Sequence, residues 1–252
     1  MKTIIWVIRL VIYLICAFPD MLRAKKLRYT DPEAFHELVD NRVHHWAKKM
    51  LSNMNVTYDV EGLENIPDRP AVYVPNHQSD WDILIMLGCL GCAHGLVAKD
   101  GIKKIPVIRT WMDYLGCVFI DRDDPRKALR AINEAGKQIP EEGRSITIFP
   151  EGTRSKGEEV LEFKNGAFKT AVKYNAPLVP ISIDGTYKIM EANNGIWMKP
   201  AHILITVLPA IETEGLDRAQ QKELGNMIRQ QIIDARHKTR EKYKVEKYKG
   251  EN

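Results

Sequence analysis

From Thr57 to Leu208 the chain alternates short apolar runs with stretches of helical periodicity, and this alternation restricts the fold more than any other feature. Strand-like runs fall at Thr57–Val60, Ala71–Val74, Gly95–Ala98, Cys117–Ile120, Ser145–Phe149, Leu178–Ile183 and His202–Leu208. Helical stretches lie at Asp82–Leu90, Pro125–Ile139, Gly166–Tyr174 and from Asp217 onward. In Pro125–Ile139, residues Ala128, Leu129, Ile132, Ala135 and Ile139 fall on one face, and Asp124–Pro125 is a helix start. Asp217 and Gln220 have capping-box spacing for the last helix. The pattern predicts an α/β fold, a largely parallel or mixed sheet flanked by helices.

Composition narrows the function classes. Lys and Arg total 37 against 33 Asp and Glu, a net charge of +4, too small for a whole-domain nucleic-acid binder. Four cysteines in 252 residues do not build a secreted disulfide scaffold. A mean hydropathy of -0.30 excludes a multi-span membrane protein.

The N-terminal region departs from this average. Thr3–Phe18 carries one charge, Arg9. As a helix it would run about 24 Å, short of the roughly 30 Å of bilayer hydrocarbon, and Arg9 near its middle opposes full insertion. A cleaved secretory signal is disfavoured because no small-x-small site follows. Arg23, Lys25, Lys26 and Arg28 come next, a cluster expected on the cytoplasmic side of a membrane. Pro32–Met54 follows, with Phe35, Leu38, Val39, Val43, Trp46, Met50, Leu51 and Met54 on one apolar face. That face either packs on the globular domain or forms, with Thr3–Phe18, a two-helix hairpin resting in one leaflet. Residues 1–55 are expected to be this membrane-associated element, monotopic or N-terminally anchored at the cytoplasmic face of the cell membrane. Residues 56–252 are expected to be the α/β domain, closed by a basic C-terminal helix. Arg236–Lys249 holds seven basic and two acidic residues, read as a solvated helix end before a lipid contact.

Candidate chemistry gathers where strands end, the usual place for ligands in such sheets. Asn76-His77-Gln78-Ser79-Asp80-Trp81-Asp82 follows Ala71–Val74. His77 is the natural general base, and Asp82 can hold its other ring nitrogen if His77 lies in the loop and Asp82 in the first helical turn. Ser79 and Asp82 also have capping-box spacing, so a purely structural role for Asp82 stands beside the catalytic one. After Ser145–Phe149 comes Pro150-Glu151-Gly152-Thr153-Arg154-Ser155. Gly152 permits unusual torsions, Arg154 offers a fork matched to phosphate, and Thr153 and Ser155 add hydroxyls. Glu151 can hold basic groups or a substrate hydroxyl, while the bland reading is an ordinary turn with an exposed arginine. Lys99 after Gly95–Ala98 and Arg122 after Cys117–Ile120 add two cations. No Ser or Cys is paired with a base, so direct attack by a substrate hydroxyl is expected rather than a covalent intermediate. Cys89-Leu90-Gly91-Cys92 is a lone CxxC read as packing, and His36, His44 and His45 lack companions for a metal site; no metal or cofactor is expected.

Four blocks then stand in order: NHxSxxD at Asn76–Asp82, GxxFIDR at Gly116–Arg122, FPEGTRS at Phe149–Ser155 and VPISI at Val179–Ile183. With VAKDGIKKIP at Val97–Pro106 and FKNGAF at Phe163–Phe168, they resemble the glycerolipid acyltransferases over roughly Val56 to Leu208. The resemblance is closest to the bacterial 1-acyl-sn-glycerol-3-phosphate acyltransferases. It implies transfer of an acyl chain from an acyl carrier protein or coenzyme A thioester to the sn-2 hydroxyl of lysophosphatidic acid, giving phosphatidic acid. It also implies a membrane-embedded N-terminal two-helix element. His77 and Asp82 match the His-x4-Asp pair of that family; Asp100-Gly101 departs from the usual charged-apolar pair after Lys99. The bilayer, the lysolipid and the thioester carrier are the expected partners, with no nucleic acid. The alternative acceptors are another lysophospholipid or glycerol-3-phosphate, and the alternative classes are a thioesterase or a non-catalytic lipid-binding protein.

Overall fold

The computed structural model describes residues 2–91, 94–120 and 124–250. Three helices, α1 (Lys2–Cys16), α2 (Phe18–Thr30) and α3 (Pro32–Asn53), precede the first strand. There follow β1 (Thr57–Glu61), β2 (Val72–Pro75), α4 (Trp81–Cys89), β3 (His94–Lys99), α5 (Pro106–Tyr114) and β4 (Val118–Ile120). The chain continues with α6 (Pro125–Glu142), β5 (Ser145–Thr147), α7 (Gly166–Lys173), β6 (Leu178–Asp184), β7 (His202–Val207) and α8 (Arg218–Gly250). All seven expected strands form, in the order β1-β7-β6-β2-β5-β3-β4. Every pairing is parallel except β6 with β7, so the sheet is mixed.

Alternation along the central strands sends side chains to two different cores. Val72, Val74, Ile146, Ile148 and Leu178 face α6, α7 and α8, where Ala135, Phe168, Leu224 and Ile228 are buried. Tyr73, Leu96, Phe149, Val179 and Ile181 face the N-terminal helices and α4, where Val39, Val43, Met50, Ile85 and Met86 are buried. Gly88 lets α3 and α4 approach, since a β-carbon there would sit 3.3 Å from the Ala47 methyl.

The expected two-helix hairpin is corrected to three helices. Pro19 has no N–H to continue the ladder, and the chain bends by 43° between α1 and α2 before α3 returns. Asp31 caps α3 by accepting from the Ala34 N–H at 3.1 Å. The apolar face of α3 packs on the α/β domain, burying Phe35, Val39, Val43, Ala47, Met50 and Leu51. Arg144 tethers the start of α3, donating to Asp40 at 3.1 Å and to His36 Nδ1. Helix α1 is apolar on both its inner and its outer side. Its inner side packs Trp6, Leu10 and Tyr13 on the core and adds polar ties to α3: Trp6 donates to the Met50 carbonyl at 3.1 Å, and the exposed Arg9 donates to Asn53 at 3.1 Å. Further aliphatic residues face out, with Ile4, Ile8, Val11, Ile12 and Ile15 each half or more exposed. Among the described residues no single helix is long and apolar enough to cross a membrane.

Smaller differences have local causes. Leu129 is exposed rather than core, because α6 buries only the stripe through Ala135 and Ile139. The Asp217–Gln220 box forms reciprocally, with bonds of 2.9 and 2.8 Å. Cys89 is buried beside Tyr58, and burial pushes its thiol up to about 12; Cys92 lies outside the described residues.

Candidate active site

Parallel pairing puts the carboxyl ends of β2, β3, β4, β5 and β6 on one edge of the sheet. β2 ends at Pro75, and the next five residues form a loop that carries His77 before α4 begins at Trp81. Asp82, in the first turn of α4, leans back over that loop, and its Oδ2 lies 2.8 Å from His77 Nδ1. The same oxygen accepts the backbone N–H groups of Gln78 at 2.6 Å and Ser79 at 2.8 Å. Thr186 Oγ1 donates to the other oxygen, Oδ1. Capping and contact with the imidazole are thus compatible: the bonds that start α4 also aim the Asp82 carboxylate at the His77 ring. A fully buried carboxylate is costly unless several donors satisfy it, and these four do. A carboxylate can only accept, so the ring that faces it donates Nδ1–H and keeps its lone pair on Nε2. Phe149 stacks on the imidazole with ring centroids 4.0 Å apart.

Glu151 closes the other side of the His77 loop. Its Oε1 accepts the His77 backbone N–H at 2.7 Å, and its Oε2 accepts that of Leu161 at 3.1 Å. Both oxygens thus go to the main chain, and the expectation that Glu151 holds basic groups is corrected. Burial raises its carboxyl to about 7, against the pull of those two N–H donors. Ser155 N–H returns to the His77 carbonyl at 2.8 Å, so the loops after β2 and β5 are laced together. Gly152 has φ +68 under Lys164, whose Nζ would lie 2.9 Å from a β-carbon there. Thr153 is exposed on the same turn.

Arg154 is half-buried, and its Nη1 serves two carboxylates, Asp80 and Glu191, the latter at 3.3 Å. Glu191 in turn accepts from Ser79 Oγ at 2.6 Å, and burial holds its carboxyl above the usual range. Lys99 is exposed at the end of β3. Leu96 and Tyr73 both pair with Thr147, so β5 stands between the strand that ends in Lys99 and the strand that leads to His77. Arg122 lies outside the described residues.

The structure thus unites His77, Asp82, Glu151 and Arg154, and sets Lys99 on the same edge farther along. It adds Thr186 and Glu191, which the sequence reading did not single out. Gly185-Thr186 at the end of β6 carried a detectable signal, a turn directly after a buried strand. Glu191 carried none, because two short 3₁₀ turns, Thr186–Lys188 and Glu191–Asn193, bring it back to Ser79.

Beside this edge, on the side of the N-terminal helices, lies an apolar cavity of about 500 Å³. Trp6, Trp46, Trp81, Leu96, Trp111 and Cys117 help line it, and Asp80 sits on its wall. Trp81 directly precedes Asp82, so the cavity adjoins the His77 loop.

Comparisons place this arrangement. A family model described as Acyltransferase matches residues 57–184, just over half of the chain. A chloroplastic 1-acyl-sn-glycerol-3-phosphate acyltransferase of Brassica napus is 40% identical over 61% of this chain and 46% of its own length. The chain therefore spans under half of that relative. The Borreliella burgdorferi 1-acyl-sn-glycerol-3-phosphate acyltransferase is 33% identical over 69% of both chains. The crystal structure of the 1-acyl-sn-glycerophosphate acyltransferase PlsC from Thermotoga maritima superposes with a TM-score of 0.79 at 27% identity, covering 93% of this chain and 95% of that one. A matched core of residues 57–184 that carries the His77–Asp82 pair, and a fold shared from end to end, mean that the chain belongs to the acyltransferase family.

Proposed function

We propose that this protein moves a fatty acyl group from a thioester of acyl carrier protein or coenzyme A to the sn-2 hydroxyl of 1-acyl-glycerol-3-phosphate, yielding phosphatidic acid. The observation that carries the reading is the direct 2.8 Å contact between His77 Nδ1 and a carboxylate fixed by three further donors, beside an apolar cavity. A water-filled site would suit a soluble acceptor. A cavity lined by tryptophans suits an acyl chain.

In the proposed mechanism Nε2 of His77 removes the proton of the acceptor hydroxyl as the oxygen attacks the thioester carbonyl. Asp82 stabilises the imidazolium that forms and keeps the ring in its reactive tautomer. The tetrahedral oxyanion then collapses, the carbon–sulfur bond breaks, and His77 returns its proton to the departing thiolate. Arg154, with Lys99 from the same edge, binds the acceptor phosphate, and the chemistry of Arg122 suits the same anion. Glu151 holds the main chain of His77 in place, Gly152 shapes the turn, and Thr153 offers a hydroxyl at its rim.

The membrane assignment belongs to the same reading. The exposed aliphatic face of α1 is unusual for a water-facing helix, and it seats in a leaflet with Arg23, Lys25, Lys26 and Arg28 against anionic headgroups on the cytoplasmic side. Residues 1–55 are then the membrane-associated element, and residues 56–252 the α/β catalytic part.

The test uses one labelled acyl thioester with lysophosphatidic acid, and separates labelled phosphatidic acid from labelled free fatty acid. Phosphatidic acid as the main product is expected. Free fatty acid alone identifies a thioesterase, and no turnover with retained vesicle binding identifies a non-catalytic lipid binder. His77→Ala should lower the acyl-transfer rate about 10²–10⁴-fold at unchanged folding, the usual contribution of a positioned base. A near-normal rate removes the base assignment.

A further inference from the structure

The side chain proposed to bind the substrate phosphate is already occupied. Arg154 Nη1 reaches two carboxylates that arrive from opposite sides, Asp80 from the His77 loop and Glu191 from the turns after β6. The two partners differ in how firmly they are held. The Glu191 side chain is only 5% exposed, and its second oxygen is fixed by the Ser79 hydroxyl at 2.6 Å. The Asp80 side chain is 60% exposed. Glu191 is therefore a fixed brace and Asp80 a displaceable partner.

Position adds to this contrast. Asp80 lines the apolar cavity, as does Met190 directly before Glu191, so the cluster stands where an acyl-bearing ligand passes from chain to headgroup. Ser79, which holds Glu191, also gives its N–H to Asp82 at 2.8 Å. The Arg154 brace and the His77 pair thus share one loop, and the distance from headgroup to base is set by that loop.

We infer that Asp80 and Glu191 form a carboxylate latch on Arg154, in which Glu191 orients the guanidinium and Asp80 must be displaced by the acceptor's phosphate, so that phosphate monoesters are selected over phosphodiesters. The chemistry follows from charge. A phosphate monoester carries close to two negative charges near pH 7 and three free oxygens, and so competes with a single carboxylate for the fork. A phosphodiester carries one charge and two free oxygens, little better than Asp80 itself. Selectivity then comes from an occupied site that a weaker anion does not open. Asp80 and Glu191 are specificity-determining and positioning residues in this scheme; neither touches the reacting atoms.

The inference rests on the phosphate role of Arg154 given above, and the experiment separates the two. Steady-state kinetics are measured on the full chain in mixed micelles, with lysophosphatidic acid and lysophosphatidylglycerol as acceptors and one acyl thioester as donor. Arg154→Ala is the control: a raised KM for lysophosphatidic acid is expected, and an unchanged KM removes the phosphate role itself. Asp80→Asn should lower the KM for lysophosphatidic acid about two- to fivefold, the worth of a partly exposed ion pair, with the donor KM unchanged. It should also raise the relative rate with lysophosphatidylglycerol, and Asp80→Glu should restore the wild-type ratio. Glu191→Gln should raise the KM for lysophosphatidic acid about tenfold, as expected on weakening a buried bond to a charged group. An unchanged or raised KM in Asp80→Asn, with Arg154→Ala behaving as expected, overturns the latch and leaves the phosphate role standing.

Discussion

The two faces of the sheet are packed to different ends. Under α6, α7 and α8 the side chains pack tightly: a β-carbon on Gly136 would fall 2.4 Å from the Thr170 methyl, and Phe168, Ala171 and Ile228 are at most 1% exposed. Under α1, α3, α4 and α5 the same sheet leaves about 500 Å³ unfilled, although the walls are as apolar as the opposite core. Native interiors are close-packed, so a gap of this size between apolar walls suits a place that receives a ligand. The His77 loop lies at the edge where the two faces meet. One side of the sheet is tightly packed, and the other holds the cavity to which the proposed function assigns the acyl chain.

Substitutions on each face put this contrast at risk. The largest expected effect on stability is Phe168→Ala, on the closed face, which should cost about 3–5 kcal/mol in denaturant unfolding. A cost under about 1 kcal/mol would mean that the closed face relaxes as readily as the open one. Glu151 comes second, through pH. Its folded carboxyl titrates near 7 against an ordinary 4.5, so the folded chain holds a proton that the unfolded chain has released. Its contribution is complete below pH 4.5 and lost as pH rises toward 7, and the unfolding free energy falls across that window by up to about 3 kcal/mol. Glu151→Gln should flatten this part of the profile measured by thermal melts; an unchanged slope would assign it to another group.

Asp217→Ala removes one half of the box that starts α8, the helix covering the closed face. It should cost about 1 kcal/mol, or about 2–4 °C in Tm. The smallest stability effect is expected for Cys117→Leu, which adds volume to the cavity wall and should cost less than about 1 kcal/mol because space is there to take it. Its consequence should appear in the donor series instead, as a fall in the rate with long acyl thioesters relative to short ones. A large drop in Tm with no change in donor preference would show that the gap does not receive the chain.

Much of this was legible in the chain itself. Seven strands were visible because a strand buried on both faces, such as β2 with Val72, Tyr73 and Val74 all at most 1% exposed, reads as a short apolar run. Helix α5 was not anticipated, although Pro106 at its first turn was a usable signal. Helix α2 was missed because its mean hydropathy is low and it buries only Ala24, so no apolar stripe announces it. The expectation of two helices at Thr3–Phe18 and Pro32–Met54 omitted α2, which lies between them, for the same reason.

What the sequence determined by itself was local: the strands, the caps at Asp31 and Asp217, and the meeting of His77 with Asp82, five residues apart across a loop and one helical turn. Contacts of that range follow from backbone geometry whatever the rest of the chain does. The tertiary structure alone decided that Glu151 grips the His77 main chain from 74 residues away, that Thr186 supports Asp82 from 104, and that Glu191 reaches Ser79 from 112. It also opened the cavity. Such partners depend on strand order, and strand order is fixed by the burial of two opposite faces at once, a condition that no short segment of sequence contains.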